Sequence, residues 1–318
     1  MAQVLTNLFD QASLGERRGR GNNMTDRTVS IIIPCFNDGE YLEETIASVR
    51  EQTWQDTECI IVDDGSTDEK TIHILNGLKE EGYTVLSGNH RGPAAARNIG
   101  ITASGGRYIL PLDADDLIEP TYVEKAFSYL EAHPEKKVVY CQADFFGAKS
   151  GRWKESDFSM KRYMLSNCIF VSALFRKEDW ERAGGYCESF TAGLEDYDFW
   201  MSLVQEEDDV YQIPEVLFHY RIKPDSRSAQ LISNHEQLLY TNQLLFERHQ
   251  ELYLKHAGEI IPELRTLLRE HSVHLEGLLT DPIVKYWLSV KELKPRRARR
   301  WLRLYQQKNR IGQMLRRK

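Results

Sequence analysis

The chain has 318 residues, 41% hydrophobic and 28% charged. That is enough to bury a core, and at about 150 residues per domain it suggests two domains or one large domain with an appendage. No apolar run approaches the ~20 residues of a membrane span, and five widely spaced cysteines without a CxxC pair argue for a reducing compartment and against a disulfide framework or structural zinc site.

The net charge of −7 is unevenly distributed. Residues 285–318 carry 13 Lys and Arg against one acid, Glu292, a net +12, so the rest of the chain carries −19. Residues 1–27 lack the apolar centre of a signal peptide and are expected as a disordered leader, or as residues upstream of a start at Met24.

In chain order, the β-branched run Val29–Pro34 predicts a strand buried on both faces. A loop at Cys35–Gly39 and a helix from about Glu40 to Glu51 follow. Glu58–Val62 predicts a second strand, ending in Asp63-Asp64-Gly65-Ser66-Thr67-Asp68. Ser66, Thr67 or Asp68 can cap a helix running to about Lys79. Tyr83–Leu86 predicts a third strand, and Pro93–Gly100 an alanine-rich helix that packs closely on a sheet. Arg107–Leu112 predicts a fourth strand, running into Asp113-Ala114-Asp115-Asp116. On an extended backbone Asp113 and Asp115 would point to one side. Carboxylates that close call for a cation.

A helix over about 120–132 and a fifth strand at Lys137–Cys141 complete a β-α alternation that implies a parallel, doubly wound sheet. Segment 144–167 reads as an excursion over the acceptor side. Ile169–Phe175 predicts a strand, Arg176–Ala183 a helix stopped by Gly184-Gly185, and 195–205 a helix opening on Glu195-Asp196-Tyr197-Asp198. Val210–Ile213 and Val216–Tyr220 predict two short strands. From about 229 the leucine spacing is helical, with breaks expected near Gly258, Pro262, Pro282 and Pro295.

Two strands ending in paired carboxylates beside a third strand's loop suit a nucleotide at a sheet's switch point. There is no GxxxxGK[ST] loop, no GxGxxG after the first strand and no nucleophile elbow. Each acid also has a plain structural reading. Asp63–Ser66 serves as a turn and N-cap, Asp113–Asp116 as an exposed acidic turn, and Glu195 and Asp196 suit a helix's first turn for any function.

Five motifs taken together are more specific. Ile31-Ile32-Ile33-Pro34-Cys35-Phe36-Asn37, Val62-Asp63-Asp64-Gly65-Ser66, Ala96-Arg97-Asn98-Ile99-Gly100, Asp113-Ala114-Asp115-Asp116 and Glu195-Asp196-Tyr197-Asp198-Phe199 occur in an order and spacing that resembles glycosyltransferase family 2, the inverting nucleotide-sugar transferases of GT-A fold. The resemblance covers about residues 28–228. It implies a Rossmann-like α/β domain with a mostly parallel doubly wound sheet, followed by a C-terminal α-helical extension over 229–318 with a basic tail.

The resemblance also implies roles. Pro34, Phe36 and Asn37 would lie along the nucleobase, and Asp64 would accept from its imide, favouring uridine. Gly92, Arg97, Asp113 and Ala114 would complete the donor site, with Arg97 on phosphate and Asp113 on ribose or base. Asp115 would bind Mn²⁺ or Mg²⁺, and Asp196, beside Glu195, would be the general base. Arg221 matches the segment after the core sheet. Many members carry histidine two residues later, where this chain has Lys223, which can bind diphosphate as a point charge. His219 is equally readable as a packed strand histidine or as a ligand.

The activity implied is metal-dependent transfer from a UDP-sugar to a hydroxyl of a surface glycan or lipid-linked oligosaccharide, on the cytoplasmic side. The basic-aromatic tail suits an anionic membrane surface, a packed subunit or a solvated helix, and the acidic body argues against nucleic acid. The leucine-rich extension could support a homodimer. A nucleotidyltransferase that makes nucleotide-sugars, or a non-catalytic nucleotide-binding module, is the alternative. Against the first, the loop after strand one has no basic residue.

Overall fold

The computed structural model describes residues 27–153, 158–223 and 226–270. The expected leader up to residue 26, the basic tail 285–318 and the breaks near Pro282 and Pro295 lie outside the described residues.

One mixed sheet organises the fold. Its strands are β1 (Val29–Cys35), β2 (Thr57–Asp63), β3 (Thr84–Ser87), β4 (Tyr108–Pro111), β5 (Leu117–Ile118), β6 (Val138–Gly147), β7 (Gly151–Arg152), β8 (Leu174–Arg176) and β9 (Val210–Ile222), in the order β3-β2-β1-β4-β8-β6-β9-β5, with β7 paired to β6. The helices are α1 (Gly39–Arg50), α2 (Glu69–Glu80), α3 (Pro93–Ala103), α4 (Tyr122–Ala132), α5 (Met160–Tyr163), α6 (Lys177–Ala183), α7 (Glu195–Leu203), α8 (Arg227–Ser233), α9 (His235–Arg248), α10 (Gln250–Lys255) and α11 (Ala257–Glu270).

The N-terminal half follows the β-α alternation. β1 pairs in parallel with both β2 and β4, and β2 with β3. Ile31, Ile32 and Ile33 have no exposed surface, as expected for a strand covered on both faces. α1 sets Leu42, Ile46 and Val49 on one side of the sheet. On the other, α3 approaches so closely that a Cβ on Gly100 would stand 2.5 Å from Ile32 Cγ2. The parallel register aligns Cys35 with Asp63, so β1 and β2 end together, with β4 beside them.

Several expected boundaries move. The segment Ile169–Phe175 forms a strand only at Leu174–Arg176, because β8 enters antiparallel between β4 and β6 and finds ladder partners only at Tyr108–Ile109 and Val138–Val139. β6 therefore runs parallel to β4 without touching it. The two short strands expected at 210–220 are one strand, β9. It absorbs Pro214 and Glu215 at register shifts opposite Cys141–Ala143, where a residue without an N–H costs no ladder bond. Pro262 lies inside α11 rather than ending a helix. Ile260 and Leu264 on either side of it pack into the core and hold the helix through it.

α9–α11 share that core, with Leu245, Phe246, Leu252, Tyr253 and Ile260 packed in one cluster with Trp200 of α7. Asp198 of α7, fully buried, accepts from Arg248 Nε at 2.6 Å and pairs with His249 Nε2 at 2.9 Å. Among the described residues no helix is long and apolar enough to cross a membrane, and all five cysteines are free.

Candidate active site

The site lies where β1, β2, β4 and β9 end. After β1, Phe36 is 39% exposed and its ring lies 4.5 Å from the His90 ring, centroid to centroid. Asn37, at φ 57°, holds the loop after β2. Its Oδ1 accepts from the N–H groups of Thr67 and Asp68, while its own N–H donates to Ser66 Oγ. Asp64 is buried, and its carboxylate accepts from Arg91 N at 3.1 Å and Gly92 N at 2.7 Å, fixing the loop before α3. The non-glycine residues with positive φ are Asn37, His90 and Leu194 among those described. They stand after β1, just before α3 and at the start of α7, and strained backbone concentrates at functional sites.

The acids after β4 are not extended. The strand ends at Pro111, and Asp116 N donates to Asp113 O at 3.1 Å, closing a turn. The expectation that Asp113 and Asp115 share one side through strand geometry therefore fails, and each acid faces its own cation. Asp113 Oδ1 accepts from Arg97 at 2.6 Å. Asp115 Oδ2 meets Lys223 Nζ at 2.8 Å. Asp116, buried, accepts from Arg221 N at 2.8 Å, leaving its Oδ2 without a partner. Ala114 O accepts from Thr45 Oγ1 at 2.9 Å, pinning the turn to α1.

Arg97, 2% exposed, joins the two halves of the site. Its other terminal nitrogen donates to Glu195 Oε1 at 2.9 Å, so one guanidinium holds the turn after β4 and the first residue of α7. Both terminal nitrogens are thus on carboxylates. Burial pushes Glu195 up, but Arg97 and then Arg227 outweigh it and hold its carboxyl below the usual range. Next to it, Asp196 accepts from Asn167 Nδ2 at 3.0 Å and from Tyr197 N at 2.8 Å. Burial first, then the Glu195 charge, raise Asp196 to about 6. That is a carboxylate poised for proton transfer near neutral pH.

Arg221 packs its guanidinium over the rings of Tyr41 and Phe146, 4.6 and 4.3 Å to the centroids, and donates to Asp115 O and Glu44. Lys223 Nζ also lies 2.6 Å from Asp38 Oδ1. Asp38, Tyr41, Glu44, Asn167 and Arg227 were not singled out from the sequence. Asp38 stood in the expected loop Cys35–Gly39, but only the β9 register brings Lys223 to it.

The carboxylate turn fits a divalent cation. Its donors are hard oxygens, Asp116 Oδ2 is buried and unpaired, and Asp115 is raised by burial and by Asp113. No three His, Cys, Asp or Glu side chains among the described residues form a cage, so further ligands would have to come from a bound phosphate group. His219 instead pairs with Asp144 and Glu119, 2.6 and 2.9 Å away.

The model of the family "Glycosyl transferase family 2" matches residues 30–193, more than half of the chain. The chain belongs to glycosyltransferase family 2. An uncharacterized glycosyltransferase of Haemophilus influenzae is 30% identical over 227 residues, covering 66% of this chain and 69% of that one. The glycosyltransferase GlyG of Streptococcus pneumoniae is 31% identical over 159 residues, and the chain spans about half of its length. Among solved structures, S. aureus TarS (residues 1–349) in complex with UDP-GlcNAc superimposes with a TM-score of 0.61 at 15% identity, covering 80% of this chain and 82% of that one. The mannosyltransferase PcManGT of Pyrobaculum calidifontis, in complex with GDP-Man and Mn²⁺, gives 0.53 at 19% identity, covering 87% and 84%. These likenesses establish the GT-A fold, and family membership makes the protein a glycosyltransferase.

Proposed function

We propose that the enzyme transfers a sugar from a UDP-sugar to a hydroxyl acceptor with inversion, using Asp196 as the base. The observation that carries this reading is the double pairing of Arg97, because it ties the acid turn after β4 to the start of α7 through one side chain. The donor's base would lie against Phe36 near Pro34 and Asn37. Asp64, already holding the loop at Gly92, has lone pairs left for an imide. TarS bound to UDP and UDP-GlcNAc supports a uridine donor, although PcManGT holds GDP-Man.

Asp113 and Ala114 would meet the ribose and Asp115 the cation, with Arg221 and Lys223 near the diphosphate. Bound there, a divalent ion would offset charge on the departing diphosphate. Arg97, walled in by carboxylates, contributes by positioning Asp113 and Glu195 rather than by touching phosphate. Asp196 would take the acceptor's proton as its oxygen attacks the anomeric carbon, a step typically worth ~10²–10⁴-fold. A growing surface glycan or lipid-linked oligosaccharide is the acceptor class proposed, since the basic residues of 285–318 suit an anionic membrane face.

The test is a screen of nucleotide-sugars with Mn²⁺, reading nucleoside diphosphate release. UDP release that disappears in Asp196→Asn is expected. Release from a GDP-sugar alone would overturn the uridine assignment, and an active Asp196→Asn would overturn the base.

A further inference from the structure

Lys223 stands one residue beyond β9, and its ammonium is shared by Asp38 Oδ1 at 2.6 Å and Asp115 Oδ2 at 2.8 Å. It therefore ties the loop after β1 to the turn after β4. The Tyr41 ring, 5.4 Å away, backs the ammonium. The carboxylate it covers is the one that the proposed function gives to the divalent cation. An ammonium and a dication repel each other and compete for that oxygen.

We propose that Lys223 is a resident competitor for the cation at Asp115, so that this enzyme takes up the divalent ion together with the donor's diphosphate rather than before it. This inference rests on the cation reading above. In the free protein the ion must displace an ammonium already in place. The lysine is not locked in, because its side chain is 24% exposed on a flexible four-carbon stem. An arriving diphosphate offers the ammonium a new anion beside Asp38 and so releases Asp115. Each ligand then strengthens the other, and linkage makes the reinforcement equal in both directions. Arg221 cannot play this part, because its guanidinium is held by the Asp115 carbonyl, Glu44 and two rings.

The experiment is Mn²⁺ titration of the full chain, followed by the electron-spin signal of free Mn²⁺, with and without UDP. The proteins are the wild type, Lys223→Met and Lys223→Arg, with Lys223→Gln replacing the Met variant if that does not fold. Without UDP, the Met variant is expected to bind Mn²⁺ about tenfold or more tightly than the wild type, within the usual range of coupling between sites. UDP should then add less in that variant than in the wild type, its phosphate oxygens still completing the ion's ligand shell, while the Arg variant keeps the wild-type pattern. The proposal is overturned if Lys223→Met binds Mn²⁺ alone no better than the wild type while UDP and Mn²⁺ still reinforce each other. Mn²⁺ binding to the wild type that UDP does not strengthen overturns the proposal alone, whereas no Mn²⁺ binding with or without UDP removes the cation reading and the proposal with it.

Discussion

Asp113 and Glu195 are held by the same guanidinium, that of Arg97, at 2.6 and 2.9 Å. One follows β4 and the other opens α7. The turn after β4 and the start of α7 are therefore one electrostatic unit, and on the proposed function it is this unit that would place Asp196 beside the donor.

Replacing Arg97 with Met should cost about 3–5 kcal/mol of stability, because Glu195 would stay buried with only Arg227, 3.4 Å away, to balance it. Lysine should not restore it, since a single ammonium cannot span both carboxylates in a fork. Chemical denaturation of the two variants measures this. A loss below 1 kcal/mol would show that the bridge is not structural.

The pH profile of kcat/KM should rise through about 6, because Asp196 must be ionised to accept a proton and its raised value delays ionisation. Asn167→Ala removes a donor to that carboxylate and should move the acid limb upward. An unmoved limb in this variant would detach the profile from Asp196.

Gly100→Ala should destabilise by about 1–3 kcal/mol, because the new methyl would meet Ile32 Cγ2 at 2.5 Å and Val62 Cγ2 at 3.1 Å in a packed core. Thermal unfolding reads the loss. An unchanged midpoint would mean that α3 can lift from the sheet at little cost.

His219 should make stability fall as the pH rises. Burial alone would lower its affinity for a proton, but hydrogen bonds to Asp144 and Glu119 outweigh burial and raise it. The contribution is then complete below the unfolded value of about 6.5 and lost as the pH passes the raised folded value. Both carboxylates are partly exposed, so the effect should stay within about 1 kcal/mol. Unfolding at pH 6 and pH 9, compared with His219→Gln, isolates it. Equal pH slopes in the two proteins would rule it out.

Much of this was legible in the chain. Ile31-Ile32-Ile33 and Cys59-Ile60-Ile61-Val62 announce strands covered on both faces, and the acids that follow mark their ends. The alanines of Pro93–Gly100 signal a helix that packs closely on the sheet. The antiparallel insertion of β8 was not legible, because a short apolar run carries no direction. Nor was the continuity of β9 through Pro214, since a bulge is defined by the partner strand.

The sequence by itself determined the strand ends that gather the acids and the motif order that marks the family, because both depend on residue types at short spacing. The tertiary structure alone decided which acid faces which cation: Arg97 with Asp113 and Glu195, Lys223 with Asp38 and Asp115, Arg248 with Asp198. Those pairings join residues far apart in the chain. They depend on sheet register and on turns such as Asp113–Asp116, where closing the backbone sends neighbouring carboxylates to different partners.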